Sequence, residues 1–408
     1  MKIIRALLLV VLFSSLTVLR IILPRKQTPD TYIFSMSQEQ IFDRGSVKPF
    51  LDFLSEKRFS LDFHPEETLI ELRHFKALFR KSGGIITLDI VFRMLATCLT
   101  RDLFVKIVRQ SFYESWHSKY RNGFSLRDFH QFKKQTIDKS FWHNYLKESE
   151  KKLTFITTIS SIESPPVAFL AANPNLHNCQ RIMFWYSTNI KPIETGLGHS
   201  RIKPNYTHLN SWVDKHFIWN EDQEKYLSDK GLDNLYVVGS VLFRPRNVAT
   251  KSSAVFDILF FDVTPIENAN TFYTYSTCVN TMNDLLQVVC ELESALGKTI
   301  EIHIKPKRKY TKFHSEMYVN FLSKLAKEGK IGIVKTNENL YEIISKAKYV
   351  IGVPFTSPVI VAKELGVPCV FYTGDFGEGD IGSLENGVLV ITGRDDLRKE
   401  INSNANCF

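Results

Sequence analysis

The sequence predicts an α/β fold: two Rossmann-like, doubly wound domains facing a cleft, preceded by a largely helical N-terminal region. Three observations carry this. After Phe256, apolar runs of strand length alternate with segments of helical spacing, the pattern of a parallel sheet covered by helices. From Lys151 to Ser240 a looser version of the same alternation appears. Before Glu150 the apolar residues recur at three- and four-residue spacing, rich in Phe, Lys and Arg.

The 408 residues and the 44% hydrophobic content predict two or three domains, each with its own core. The boundaries expected are a membrane-associating segment 1–26, an N-terminal domain 27–244 (helical part, then Rossmann-like part) and a C-terminal Rossmann-like domain 245–408. A formal net charge of +9 favours acidic partners: membrane phosphates or nucleotides. Nucleic acid is the least favoured of these, because no RGG tract, zinc-finger spacing or RNP-type aromatic motif is present. The six cysteines are scattered without a CxxC pair and read as free, partly buried thiols. A sequon at Asn205 is weak evidence of secretion.

Lys2 and Arg5 precede an apolar run over 6–19, and Arg20, Arg25 and Lys26 follow it. Positive charge on both flanks fits a helix lying on an anionic membrane surface. A signal anchor ranks second and an ordinary buried helix third. Residues 69–79 carry helical spacing, Gly83 and Gly84 break the chain, and 89–108 and 129–147 return to helix, the last from a capped start at Ser125. His64, His74, His117, His130 and His143 show no metal-ligand spacing.

Strands are expected over 153–159, 181–187, 216–219 and 236–240. Helices begin near Val167 and, on an Asn220 cap, near Glu221. The polar loop 190–208 is long enough to be functional. In the second half the expected strands are 256–263, 300–304, 331–334, 349–353, 369–372 and 388–391. Helices over 279–296, 312–328, 340–347, 358–365 and 394–401 separate them. Pro358 suits a first helical turn, Gly366 a left-handed stop, and Pro368 a position just beyond it.

In a doubly wound sheet, ligands bind beyond the C-terminal strand ends. The loops expected there bring Asp262 and Thr264, then Lys305, Lys307 and Arg308, then residues 336–339, then Thr356 and Ser357, then Gly374 and Asp375. Such groups suit a nucleotide. Lysine and arginine offset phosphate charge, a helix N-terminus donates to phosphate, and a carboxylate binds ribose hydroxyls. Glu364, on the helix after the phosphate loop, is a further ribose candidate. The alternative for Thr356 and Ser357 is that they only cap their helix.

WYSTN at 185–189, FIWNEDQ at 217–223, VVGSVLF at 237–243, FDVTP at 261–265, KPKR at 305–308 and IGVPFTSP at 351–358 resemble stretches of GT-B glycosyltransferases. Within them the resemblance is to bacterial surface-polysaccharide enzymes, the capsule, lipopolysaccharide and polysialyltransferase-like group, over about residues 150–395. It implies transfer of a sugar from a nucleotide-sugar donor, CMP-linked donors included, to a glycan or lipid-linked acceptor at the cytoplasmic membrane face. The donor would sit in the second half and the acceptor against the first. No resident cofactor and no metal are implied. Several relatives carry a His-Pro pair where this chain has Lys305-Pro306. The catalytic base of this group comes from the first half. Glu163, Glu194, His199 and Asp214 are the choices, with Glu163 and His199 better placed. A sugar-nucleotide 2-epimerase and a non-catalytic component of a glycan assembly complex are the rival readings.

Overall fold

The computed structural model describes residues 2–22, 31–36, 68–72, 86–87, 90–117, 133–157, 166–185, 212–239, 255–263, 265, 274–306, 310, 314–336, 338–353, 356–374, 384–385 and 387–408. The chain divides into two compact units, one drawn chiefly from the chain up to Leu242, the other chiefly from Phe243–Phe408. Each holds one seven-stranded sheet.

The first unit begins with helix α1 (Lys2–Ile22). Strands β1 (Thr31–Met36), β2 (Thr68–Leu72) and β3 (Ile86–Thr87) follow. Helices α2 (Ile90–Thr97) and α3 (Arg101–His117) come next. A π-helical stretch, Lys133–Asp138, leads into α4 (Lys139–Glu148). The alternation expected after Lys151 then appears: β4 (Leu153–Thr157), α5 (Val167–Ala172), β5 (Cys179–Phe184), β6 (Lys215–Ile218), α6 (Glu221–Asp229) and β7 (Leu235–Val237). The sheet order is β3-β2-β1-β4-β5-β6-β7, all parallel.

Among the described residues the first region is largely helical, as expected, but it also supplies strands that the sequence pattern does not predict. Three of the seven strands come from it, and residues 69–72, read as helix, lie in β2. The run Leu69, Ile70, Leu72 satisfies both periods, and what decides is non-local pairing with β1 (Ile33↔Ile70), which no window of sequence contains. Tyr32 fixes β1 to the rest. Its ring stacks on Phe155 of β4 at 5.2 Å and meets Trp142 of α4 edge-on at 5.5 Å, and its hydroxyl pairs with that of Tyr145 at 2.8 Å. The start of the helix expected near Ser125 lies outside the described residues.

The second unit contains β8 (Phe256–Phe261), α7 (Tyr275–Leu296), β9 (Ile302–Lys305), α8 (Glu316–Lys327), β10 (Gly332–Ile333) and α9 (Leu340–Ile344). Then come β11 (Ala347–Gly352), α10 (Ser357–Glu364), β12 (Cys369–Tyr372), β13 (Leu384–Glu385), β14 (Val388–Ile391) and α11 (Gly393–Ser403). The order is β10-β9-β8-β11-β12-β14-β13, parallel except for the β13–β14 pair. Caps set several boundaries. The Thr274 hydroxyl accepts from Thr277 N–H at 3.3 Å, so α7 starts earlier than its apolar spacing predicts. Gly297 ends it at φ +65°, and Gly366 after α10 sits at φ +69°.

A parallel sheet needs cover on both faces. Ile258 and Phe260 of β8 point into one core, with Met282, Leu285 and Val289 of α7, Leu322 of α8 and Leu397 of α11. Leu259 and Phe261 point into the other, with Ile344 of α9 and Val359 and Ile360 of α10. Helices thus lie on both faces, as in a doubly wound sheet. All six cysteines are free thiols, with Cys179 and Cys278 buried.

One buried group makes the first unit sensitive to pH. His216 of β6 is 1% exposed, and its Nδ1 accepts from Trp185 Nε1 at 3.4 Å. Burial pushes its pKa down to about 4, against a smaller upward pull from Asp214. The unfolded chain takes up this proton near pH 6.5. Between about 6.5 and 4 the unfolded state therefore binds a proton that the folded state refuses. Stability is full above that window and should fall by roughly 3 kcal/mol as pH drops through it. Urea denaturation of wild type and His216→Gln across this range checks it: the variant should show the shallower pH dependence.

Candidate functional site

The second sheet reverses direction between β8 and β11, which pair in parallel through Leu259↔Val350 and Phe261↔Gly352. Strands β9 and β10 extend from one side and β12, β14 and β13 from the other. Beyond the C-terminal ends of β8 and β11 is the switch point, where a crevice opens because the two connections leave in opposite directions. Asp262 follows β8 there, and the loop from Val353 to Thr356 follows β11.

The placement of Thr356 depends on Gly352. A Cβ at this position would stand 2.3 Å from Val359 Cγ2 and 2.8 Å from Thr356 Oγ1. The first turn of α10 therefore packs directly on the β11 backbone. Thr356 takes the N-cap position in an extended conformation (φ −82°, ψ 131°), yet its side chain makes no capping bond. Its hydroxyl oxygen is buried and has no partner among the described residues. Such a group costs about 1–3 kcal/mol if left unsatisfied. Ser357 begins the helix half-buried, and Pro358 follows in the first turn. Simple capping, the alternative reading for Thr356, is thus not what its side chain does here.

Lys305 ends β9 and pairs in register with Phe261. Its side chain is buried, and its ammonium donates to the Thr336 carbonyl at 2.8 Å and to the Pro306 carbonyl at 3.5 Å. Burial lowers its pKa and the Glu338 carboxylate raises it in part. Rather than standing free on a basic loop, Lys305 ties the end of β9 to the segment after β10. Lys307 and Arg308 lie outside the described residues, as do Thr264 and Asp375.

Asp262 is also inside the fold, at 3% exposure, and accepts from the Tyr318 hydroxyl of α8 at 3.1 Å. Through this bond it anchors α8 beneath the switch point. Tyr310, which sequence reasoning passed over, contributes a buried hydroxyl with no partner among the described residues. Burial, and then the charge of Asp262, push its pKa upward, so it stays a neutral donor. Gly374 turns the chain after β12 at φ +65°, and Thr373 beside it donates to the Gly374 carbonyl at 3.1 Å.

Asp262, Lys305, Thr356, Ser357 and Gly374 thus share one edge, at the ends of the adjacent strands β9, β8, β11 and β12. Glu364 does not. It ends α10, about 12 Å along the axis from Thr356, at the opposite edge of the sheet. Partial burial of its carboxyl raises its pKa even though the residue as a whole is exposed, and its charge acts on Tyr341. It is no ribose ligand for this loop.

Of the base candidates, Glu163, Glu194 and His199 lie outside the described residues. Asp214 is a structural residue. Its Oδ1 accepts from Arg181 Nη2 at 2.6 Å, and its Oδ2 accepts from Arg181 Nε at 3.0 Å and from the Arg181 backbone N–H at 2.7 Å. It also precedes β6, at the edge of the first sheet away from the C-terminal strand ends. Among the described residues no group of three or more His, Cys, Asp or Glu side chains is placed to hold a metal.

Residues 146–401 match the family described as polysaccharide biosynthesis PFTS motif protein. This chain belongs to that family. The four letters of its description stand in the sequence as Pro354, Phe355, Thr356 and Ser357, the loop at the switch point. No curated protein matches the chain. Among solved structures, TarM of S. aureus, crystallised with Fondaparinux, alpha-GlcNAc-glycerol and UDP, is 14% identical at a TM-score of 0.42. The match covers 65% of this chain and 52% of TarM, so the chain spans about half the length of that protein. The UDP-GlcNAc 2-epimerase of Methanocaldococcus jannaschii is 12% identical at a TM-score of 0.47, covering 92% of both chains. The wall teichoic acid polymerase TagF is 12% identical at 0.45, covering 99% of this chain and 88% of its own.

The packing at Gly352 has a direct consequence. Gly352→Ala should destabilise the second unit by about 1–3 kcal/mol, because Val359 is β-branched, buried and unable to yield. Gly366→Ala is the control: it meets only backbone strain, with nothing within 4 Å, and should cost about 1 kcal/mol. Melting of the two variants by near-UV circular dichroism checks the ranking.

Proposed function

We propose that this polysaccharide-biosynthesis protein is a glycosyltransferase that moves a sugar from a nucleotide-activated donor to a growing surface glycan, at the cytoplasmic membrane face. The observation that carries the reading is the Thr356 hydroxyl, buried and unpartnered at the N-terminus of α10. It stands at the switch point of a parallel sheet, within the motif that gives the family its description. A donor diphosphate placed there supplies the missing acceptor oxygen. It also meets the positive end of the helix dipole. The Ser357 hydroxyl is one residue away.

In this reading the donor's diphosphate lies over Thr356 and Ser357, and Lys305 and the helix terminus stabilise the charge that develops on the leaving phosphate. Lys305 acts as a fixed positive charge rather than a mobile clamp, since its ammonium is held on the Thr336 carbonyl. Tyr310 is a neutral donor close to Asp262. The acceptor hydroxyl is deprotonated by a base from the first unit, with Glu163 and His199 as the choices. The acceptor is a glycan or lipid-linked chain. The positively charged N-terminal segment 1–26 keeps the enzyme at the membrane that carries it.

Thr356→Val provides a test with opposite signs in two measurements. Removing an unpartnered buried hydroxyl should leave the free protein as stable as wild type or slightly more so. Removing a donor to phosphate should weaken nucleotide binding by about tenfold or more, the value of a hydrogen bond to a charged group. A thermal-shift series with CMP, CDP, UDP and GDP identifies the base, since ligand binding raises apparent stability. Calorimetry with the best of them then compares wild type and variant. Equal affinities would remove the phosphate-loop assignment. Turnover of the sugar nucleotide without acceptor would favour an epimerase, and no nucleotide binding at all a non-catalytic component.

A further inference from the structure

We infer that the protein docks on an anionic phospholipid surface through a folded two-helix platform, in which α3 supplies the interfacial aromatic side chains and α1 the aliphatic face. The inference rests only on the membrane-face part of the proposed function and moves the contact from an N-terminal tether to the body of the first unit.

Helix α1 is not a free segment. Leu9, Phe13 and Leu16 are buried, and the Phe13 ring meets Phe104 of α3 edge-on at 6.1 Å. Much of the rest of the helix surface is nonetheless apolar: Leu7, Val10, Val11, Val18, Ile21 and Ile22 are exposed, with Ser14, Ser15 and Thr17 among them. Two of these three hydroxyls turn inward. Ser15 donates to the Val11 carbonyl at 2.9 Å and Thr17 to the Phe13 carbonyl at 2.6 Å, so both are satisfied inside the helix. Such back-bonding lowers the cost of laying the helix against lipid. Among the described residues no helix is long and apolar enough to cross a membrane.

Helix α3 packs against α1 and carries a second exposed stripe. Val105, Phe112 and Trp116 recur at helical spacing on one face, with Tyr113 beside them. Tryptophan and tyrosine are the side chains that settle at the membrane–water interface. Trp116 is 47% exposed, while Trp142, Trp185, Trp212 and Trp219 are all buried. The charges complement an anionic surface. The α1 sequence holds Lys2, Arg5 and Arg20 and no acidic residue. On α3, a depression of about 700 Å³ beside the aromatic stripe is lined by Lys106 and Arg109, with Asp102 as its one carboxylate. Lys106 is paired with Glu148 of α4, which leaves Arg109 as the headgroup contact of this depression. A second copy of the chain has no reason to select this charge pattern, since both faces would be basic.

Because Trp116 alone of the five tryptophans is exposed, the contact has its own spectroscopic reporter. The full chain is mixed with phosphatidylcholine vesicles containing or lacking phosphatidylglycerol, with brominated acyl chains in a parallel set. With phosphatidylglycerol present, the protein should co-sediment, and brominated lipid should quench an emission component that Trp116→Phe abolishes. Phe112→Ala/Trp116→Ala should lower partitioning about tenfold, the effect of losing two buried aromatic faces, with an unchanged melting temperature. Co-sedimentation without Trp116 quenching would overturn the platform and leave α1 alone as the contact. Absence of co-sedimentation, or a dimer in ultracentrifugation that the double variant dissociates, would overturn the lipid surface altogether. Nucleotide affinity in vesicle-free solution is measured in the same preparations. It tests the donor loop separately, so either assignment can fail without the other.

Discussion

The close approach of α10 to the β11 backbone is the constraint on which the second unit depends. With no side chain at Gly352, Val359 fits against the strand, and Ile360, Val361 and Ala362 are buried with it. Four consecutive buried residues leave the helix no room to rotate or retreat. Thr356 is held in place by that packing, and its hydroxyl oxygen is removed from water without a partner among the described residues. In a less rigid loop the side chain would turn to cap its own helix, a bond worth about 1 kcal/mol. The hydroxyl is thus pre-oriented by apolar contacts elsewhere, and the free energy that orients it comes from burial of α10 in the core on its own face of the sheet.

The same logic governs the polar groups around the switch point. Asp262 is buried but takes the Tyr318 hydroxyl, which fixes α8 to the end of β8. Arg394, at the start of α11, donates to Asp284 of α7 at 2.9 Å, and Asp284 also accepts from Tyr372 at the end of β12 at 2.9 Å. The ends of β8 and β12 are therefore each tied through a buried carboxylate to a helix on one face of the sheet. Such ties add little net stability, since desolvation offsets much of the attraction. They restrict where the strand-end loops can go, and that restriction is what a binding edge requires.

Much of the second unit was legible in the sequence, because its signals are local. The apolar runs, the Gly366 stop and Pro358 fix β11, α10 and β12 within a residue or two. The fold class followed from their alternation. The strands of the first region were not legible: β1, β2 and β3 are short, and they are strands only because they pair with one another and with β4. At the site, residue type and strand-end position sufficed to bring Asp262, Lys305, Thr356, Ser357 and Gly374 to one edge of the sheet. What each side chain touches was not legible, because a carboxylate looks alike in sequence whether it faces a ligand, a tyrosine, an arginine or the far end of a helix. Tyr310 was missed because a tyrosine in a loop has no spacing signature. The only signal is its distance from a carboxylate, which depends on the fold.

Lys305 of the Lys305-Pro306 pair belongs to the scaffold of the second sheet. Its backbone continues β9 beside Phe261, while its side chain crosses to the carbonyl of Thr336, just beyond β10. The bond ties together the two outermost strands on this side of the switch point, where β10 is only two residues long and has few ladder bonds of its own. Burial lowers the pKa of the ammonium, and the nearby Glu338 carboxylate opposes that shift in part. A group that the sequence places on a free basic loop is thus made part of the scaffold, and its position is set by the two strands it joins rather than by the loop that follows it.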